Sequence, residues 1–237
     1  MDKKNIIIII LFIAIVGLSA NAYIQYVAIS ENLIVGEHTI LVLGVDETEK
    51  RPGLGAVDMA IIVKMNDGEI TNISQIYPGG MVHPTAPVPA YLQSIGEGKL
   101  RLHDALWENN TEQGANYARE IVEYNTGVKP DIVVLVTTEA VDAMIASIGS
   151  IDVSGGNISG DSLETLRSEQ SSLGETRGDA VQGMMSSILN ATQKDKTKYI
   201  ALVNTAADQY NQGNIYVYPE GAFKNFLIAE GIHKAIT

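Results

Sequence analysis

The sequence TILVLGVD, from Thr39 to Asp46, is almost entirely apolar and ends in an acid. A short apolar run of this kind predicts a buried strand over Thr39–Val45. A second apolar run predicts another strand over Val57–Met65, and the sequence Asn66-Asp67-Gly68 that follows is typical of a hairpin turn. Glu69–Tyr77 is then predicted to be the third strand. The fold is therefore expected to begin with neighbouring strands.

The rest of the chain alternates between helical and strand patterns. Residues 78–98 are rich in proline and glycine and are predicted to form a long loop. Further strands are predicted at Asp131–Thr137 and Ile215–Tyr218. Helices are predicted at Thr111–Asn125, Thr138–Ile148, Asp161–Arg167, Gly178–Thr192, Lys198–Tyr210 and Glu220–Glu230. This alternation predicts an α/β fold, a single domain with a mixed central β-sheet flanked by helices, over residues 39–237.

The N-terminus carries a membrane signal. Lys3 and Lys4 precede an apolar run that continues to about Ile29. This pattern predicts a signal-anchor helix over residues 1–30 and a short linker over residues 31–38. The basic residues place the N-terminus in the cytoplasm and the domain outside the cell membrane. Two alternatives are a signal peptide cleaved after Ala20-Asn21-Ala22, which would make the protein secreted, and a buried core helix.

The charge of the chain excludes one class of partner. The formal net charge is -12, and because residues 1–29 sum to +1, the remainder carries -13. Such a surface repels phosphate backbones, so nucleic acid is not an expected partner. There is no cysteine, which excludes disulfides, zinc–thiolate sites and a cysteine nucleophile.

Two acids near strand ends suggest a metal site. Asp46 ends the first predicted strand, and Asp58 enters the second one behind a glycine-rich segment. Carboxylates from neighbouring strands can hold Mg²⁺, which commonly takes one or two carboxylates together with substrate phosphates. The alternative is a pair of solvated residues. The four histidines are isolated in sequence, and each is more typical of a surface or core residue than of a metal ligand.

A helix start further along the chain suggests an anion site. Arg177-Gly178-Asp179 opens a predicted helix, where free backbone amides and a guanidinium could together bind an anion. The alternative is an ordinary N-cap at Asp179 beside a solvated arginine.

Taken together, these residues resemble the LytR-CpsA-Psr family, in a divergent, archaeal branch. The resemblance runs from about Thr39 to Ala191 at the level of pattern. It is carried by Leu43-Gly44-Val45-Asp46, Ala56-Val57-Asp58-Met59, Gln75-Ile76-Tyr77-Pro78-Gly79-Gly80, Leu100-Arg101-Leu102-His103-Asp104-Ala105, Glu112 to Ile151, and Arg177-Gly178-Asp179. Proteins of this family lie outside the cytoplasm and are held to the membrane by a single N-terminal anchor. They transfer glycopolymers from a polyprenyl-pyrophosphate carrier to the cell wall.

The resemblance implies a set of site residues. Asp46 and Asp58 would hold Mg²⁺, and Asp58 and Arg177 would be catalytic. Substrate-binding roles are implied for Arg51, Arg101, His103 and Asp179. The sequence departs from the family where arginines are expected, because Ala56 precedes Asp58 and Gly79-Gly80 follows the proline.

Two functions follow as expectations. One is a Mg²⁺-dependent phosphotransferase that moves a polyprenyl-linked glycan to a surface acceptor. The other is a non-catalytic module that binds the same lipid or glycan during assembly. Either function is expected to use an apolar groove for the lipid, with a packed helix–sheet core as the alternative; the predicted lining residues are Val141, Met144, Ile145, Met184, Met185 and Ile188.

Overall fold

A computed structural model describes residues 36–66, 69–153, 156–158, 187–188, 191–192 and 194–220. The strands are β1 (Glu37–Asp46), β2 (Ala56–Asn66), β3 (Glu69–Ile76), β4 (Ile132–Thr137), β5 (Ile151–Val153), β6 (Gly156–Ile158) and β7 (Ile215–Tyr218). The helices are α1 (Ala90–Ser94), α2 (Thr111–Thr126), α3 (Thr138–Ile148) and α4 (Lys196–Gln212), with 3-10 turns at Pro78–Gly80 and Leu102–Asp104.

Five of these strands form one mixed sheet in the order β3-β2-β1-β4-β7. Strands β1 and β4 are parallel, while the other neighbours in this sheet are antiparallel. Asn66 is paired with Glu69, so β2 and β3 form the hairpin predicted from the turn sequence. Strands β5 and β6 form a separate two-stranded sheet. The prediction of a mixed central sheet is confirmed.

Helices cover both faces of the sheet. The side chains of each strand alternate between the two faces, so both faces have apolar side chains that a helix can bury. Along β1, Leu41, Leu43 and Val45 pack into a buried cluster with α2, whereas Ile40 and Val42 join the clusters beneath α3 and α4. The predicted helix–sheet packing is therefore present on both sides.

The α3 residues predicted to line an apolar groove for the lipid also contact the sheet. Val141, Ile145 and Ile188 contact the cluster that contains Ile61 and Val63, and Ile145 is fully buried. Met184 and Met185 lie outside the described residues. Val141 and Met144 are only partly buried at this face, and the apolar groove stays a prediction.

Several other predictions fall beyond the described ranges. The predicted helices at Asp161–Arg167 and Glu220–Glu230 are among them, apart from Glu220 itself, and so is the predicted anchor over residues 1–30. Within the described ranges, no helix has the length and apolar character needed to cross a bilayer. The predicted loop at residues 78–98 contains a 3-10 turn and the short helix α1.

The acid that begins α4 should make part of the fold stability depend on pH. The Asp195 side chain accepts hydrogen bonds from the backbone amides of Thr197 (2.8 Å) and Lys198 (3.4 Å). These bonds, that of Thr197 foremost, hold the pKa of Asp195 below its ordinary value of 3.8. Since the pKa is lowered in the folded state, the stabilisation is present above the ordinary pKa and is lost as the pH falls through the lowered one.

We expect Asp195→Ala to lower Tm at neutral pH and to differ less from the unchanged protein as the pH is lowered to about 3. Asp195→Asn keeps a neutral acceptor at the cap and should retain more of the stability at neutral pH. Thermal unfolding followed by circular dichroism across this range checks both variants. A difference between Asp195→Ala and the unchanged protein that does not vary with pH would contradict the assignment.

Candidate functional site

Asp46 is the last residue of β1 and is almost completely buried, with 2% of its surface exposed. Its Oδ1 atom accepts hydrogen bonds from the backbone amide of Thr48 (2.8 Å) and from the Thr48 hydroxyl. A buried carboxylate without such partners would be costly, so Thr48 supports the ionised side chain at the strand end.

Asp58 lies at the same end of the sheet, on the neighbouring strand. In the β1–β2 pairing, Gly44 is opposite Met59 and Val45 is opposite Val57, so Asp58 occupies a β-bulge. Bulges re-aim side chains and are common beside functional sites. The strands therefore bring both predicted metal-binding acids to one edge of the fold.

Arg51, in the loop between β1 and β2, is enclosed by acidic and polar groups. Its Nη1 donates to Asp104 Oδ1 (2.6 Å) and to the His103 carbonyl (3.0 Å), while its Nη2 donates to Glu49 Oε2 (3.2 Å). The guanidinium also lies 5.1 Å from the ring centroid of Trp107, within cation–π range. Arg51 thus joins the loop after β1 to the segment that follows Leu100.

The orientation of the His103 ring follows from the same contacts. Nη2 of Arg51 lies 2.8 Å from Nε2 of His103, and a guanidinium can only donate. Nε2 is therefore the acceptor, which leaves the proton on Nδ1. Nδ1 lies 3.1 Å from the Val57 carbonyl and 3.6 Å from Asp58 Oδ1, so both acceptors face this proton.

These contacts gather three potential metal ligands that come from three segments. One ligand atom from each of Glu49, Asp58 and His103 lies within 4.8 Å of the other two. Asp46 is at the same end of the sheet but is not one of this group. Sequence reasoning named Asp58 and His103 and missed Glu49, because nothing in its local sequence indicates that the loop folds back towards His103.

The remaining predicted site residues lie elsewhere or outside the described ranges. Arg101 is paired with Glu97, which accepts from its Nε at 3.0 Å, and the Arg101 side chain is 46% exposed. Arg177 and Asp179 belong to the part of the chain that the structure does not describe. Their predicted roles stay predictions.

His83 is a core residue, which agrees with the general expectation for isolated histidines. It is 4% exposed, and its Nε2 lies 2.7 Å from Glu120 Oε2. Its Nδ1 accepts from the backbone amides of Thr85 and Ala86, so Nε2 carries the proton that faces Glu120. The ring fastens the proline-rich segment to α2.

A pocket of about 290 Å³ opens beside the Arg51 contacts. Trp107 forms part of its wall and stacks on Tyr91 with the ring centroids 5.5 Å apart. Residues that line it include Pro89, Leu100, Trp107, Glu108, Asn110 and Tyr117.

A comparison with known protein families covers the part of the chain that contains this site. The family model described as "Protein of unknown function (DUF4012)" matches residues 35–170, more than half of the chain. The chain belongs to the DUF4012 family. No curated protein sequence matches it.

Solved structures with the same fold extend the comparison of this DUF4012 chain. The protein gbs0355 from Streptococcus agalactiae is 15% identical with a TM-score of 0.57, covering 85% of this chain and 75% of that one. TagV from Bacillus subtilis is 14% identical with a TM-score of 0.53, covering 82% and 80%. The LytR-Csp2A-Psr enzyme from Actinomyces oris is 16% identical with a TM-score of 0.52, covering 84% and 77%. These likenesses show the shared fold and confirm the resemblance to LytR-CpsA-Psr proteins.

The positions where the DUF4012 chain departs from that resemblance are well defined in the structure. Ala56 is completely buried and is paired with Asp46 across β1 and β2. Gly79 and Gly80 form the 3-10 turn after β3. None of these three positions supplies a cation, although the two acids of the predicted metal site are present at the ends of their strands.

Proposed function

We propose that this domain acts on a polyprenyl-pyrophosphate-linked glycan at the cell surface, as a glycopolymer transferase of the LytR-CpsA-Psr kind. The observation that carries the proposal is the position of Asp46 and Asp58 on neighbouring strands at one end of a sheet with this fold. An acceptor hydroxyl would attack the glycan-side phosphorus. The bond from that phosphorus to the bridging oxygen would break, and polyprenyl monophosphate would leave, with the hydroxyl proton passing to it or to water.

The two acids fit a divalent cation by the chemistry of their donors. Carboxylate oxygens are the ligands that Mg²⁺ prefers, and Asp46 and Asp58 come from adjacent strands. When bound there, the ion would supply positive charge that polarises the pyrophosphate and stabilises charge on the leaving phosphate. Thr48 would hold Asp46 in place through its two hydrogen bonds to Oδ1.

Binding a pyrophosphate also needs positively charged side chains. The described arginines near the site are already paired with acids, which favours a second candidate function. Arg51 is already engaged by Asp104 and Glu49, and Arg101 is paired with Glu97. Because Ala56 and the two glycines supply no charge, the domain could instead bind the lipid-linked glycan without transferring it. Arg177 is the predicted cation that would distinguish a transferase from a binding module.

Release of polyprenyl phosphate from a polyprenyl-pyrophosphate oligosaccharide, measured with the full chain in detergent and Mg²⁺, tests the transferase proposal. We expect Asp46→Asn and Asp58→Asn each to lower the rate roughly a hundredfold or more, since each removes an anionic ligand of the ion that would stabilise charge on the leaving phosphate. Arg177→Ala is expected to weaken binding of the same substrate without unfolding the domain.

Asp131→Asn is the matched control, because Asp131 precedes β4 at the opposite end of the sheet and contacts the Thr39 amide there. Binding without release of polyprenyl phosphate would replace the transferase with the binding module. Neither binding nor release, in a folded protein, would refute both.

A further inference from the structure

The cluster of Glu49, Asp58 and His103 has a composition that the predicted magnesium site lacks. It combines two carboxylates with an imidazole, and one ligand atom of each lies within 4.8 Å of the others. The two ring nitrogens of His103 face different acids, since Nδ1 lies 3.6 Å from Asp58 Oδ1 and Nε2 lies 3.7 Å from Glu49 Oε2. Ligand atoms on one transition-metal ion, each about 2.0–2.2 Å from it, lie roughly 3–3.6 Å apart. From separations of up to 4.8 Å, the ring and the acids must therefore draw together by roughly 1 Å, so that one nitrogen, Nε2, and both acids face the ion.

The backbone around the cluster holds these segments together without a bound ion. The Gly53 amide donates to the Trp107 carbonyl at 2.8 Å, which ties the loop of Glu49 to the segment of His103. The Leu102 amide donates to the Met81 carbonyl at 3.0 Å, and the His83 amide donates to the Leu100 carbonyl at 2.8 Å. A ligand site built on such fixed segments loses little entropy on binding a metal.

The cluster carries negative charge and is open to an ion from solvent. Residues 46–58 carry a net charge of -2, which is the charge of the two ligand acids, because the other charged residues of this segment cancel. The side chains of Glu49 and His103 are 46% and 32% exposed, and that of Asp58 is 15% exposed. An ion can thus reach the cluster from solvent, and one acid is sheltered enough for its charge to be weakly screened.

We propose that Glu49, Asp58 and His103 form a binding site for a divalent transition metal such as Zn²⁺, in preference to Mg²⁺. Imidazole nitrogen is a good ligand for zinc and its neighbours in the first transition row, whereas Mg²⁺ favours oxygen. Mixed ligation by one nitrogen and two oxygens leaves coordination positions for water or a substrate group. The site shares Asp58 with the predicted magnesium pair, but its binding of metal through Glu49 and His103 does not depend on the proposed glycan transfer.

A metal ion must displace one hydrogen bond of Arg51 in order to bind. Its Nη2 donates to the His103 Nε2 lone pair that faces Glu49, so the incoming ion replaces this hydrogen bond. Nη1 keeps its bonds to Asp104 and the His103 carbonyl, which leaves the scaffold in place. The nearby guanidinium lowers the affinity through like-charge repulsion, so the site should bind more weakly than a site built for zinc alone.

The test is a calorimetric titration of the full chain, in detergent, with Zn²⁺ and separately with Mg²⁺. Co²⁺ serves as the absorbing probe, because its visible spectrum reports nitrogen ligation. We expect one Zn²⁺ to bind. His103→Gln and Glu49→Gln should each lower the affinity for Zn²⁺ about tenfold or more. Thermal unfolding in a chelator shows whether each variant is folded before metal is added.

Two further variants separate this site from the predicted magnesium pair. His38→Gln removes a histidine that lies 3.9 Å from Asp131, and it should leave Zn²⁺ binding unchanged. Asp46→Asn should also retain Zn²⁺ binding, although it is expected to impair the proposed transferase. Unchanged Zn²⁺ affinity in folded His103→Gln would overturn the inference, and so would displacement of Zn²⁺ by an equal concentration of Mg²⁺. Loss of Zn²⁺ in Asp46→Asn alone would assign the ion to the aspartate pair, which leaves the proposed function standing.

Discussion

Replacing Arg51 with Ala is expected to lower the free energy of unfolding by about 3–5 kcal/mol, because it leaves Asp104 buried without its cation. The Arg51 and Asp104 side chains are 6% and 10% exposed, and their nearest charged atoms are 2.6 Å apart. The substitution also removes the hydrogen bond to the His103 carbonyl and the contact with Trp107. Urea unfolding followed by circular dichroism, with a chelator present, measures the loss.

Arg101→Ala provides the matched control for this prediction. Arg101 also pairs with a carboxylate, that of Glu97 at 2.9 Å, but the two side chains are 46% and 30% exposed. An ion pair in contact with solvent contributes at most about 1 kcal/mol. Similar losses for Arg51→Ala and Arg101→Ala would mean that burial of the Arg51 pair does not stabilise the fold.

The Arg51 pair also explains how the candidate site is assembled. It links residues 53 positions apart in the chain. Without this link, the loop that carries Glu49 would be held to the His103 segment mainly by the backbone bond from Gly53 to Trp107. Arg51 was predicted to bind substrate, and the structure gives its guanidinium protein partners that a substrate phosphate would have to share or displace.

Much of the sheet could be predicted from the sequence because its signals are local. The apolar run of β1, the turn sequence before β3 and the helical pattern of α3 each lie within a dozen residues. Helix α3 spans Thr138–Ile148 and strand β7 spans Ile215–Tyr218, the same bounds that the patterns predict. Local periodicity fixes these elements since each has one face against the core.

The candidate site depends on contacts that no local pattern contains. The bulge at Asp58 arises from the register between β1 and β2, which is set by pairing across the whole strand. Glu49 meets His103 only because the loop after β1 folds back, and a solvated loop acid has the same sequence signature. Acids near strand ends could therefore be predicted, whereas their partners could not.

Gly53→Ala is expected to lower the free energy of unfolding by about 3 kcal/mol, because there is no space for a side chain at this position. A Cβ atom built there would lie 2.2 Å from the Leu106 carbonyl oxygen and 2.3 Å from that of Glu108. Both obstacles are backbone atoms, which cannot rotate away as a flexible side chain would. Relief therefore requires the loop to move, which lengthens the hydrogen bond from the Gly53 amide to Trp107.

Gly98→Ala is the control for that substitution, since no atom lies within 4 Å of the added Cβ. A surface change of this kind should alter the unfolding free energy by no more than about 0.5 kcal/mol. The same urea titration compares the two variants, and equal stability would show that the loop yields freely at Gly53.

If Gly53→Ala lowers the free energy of unfolding by the expected amount, a Zn²⁺ titration of the folded fraction gives a second result. Displacing this glycine should separate Glu49 from His103 and weaken the binding of Zn²⁺. Gly98→Ala should leave Zn²⁺ binding intact, because it disturbs neither segment.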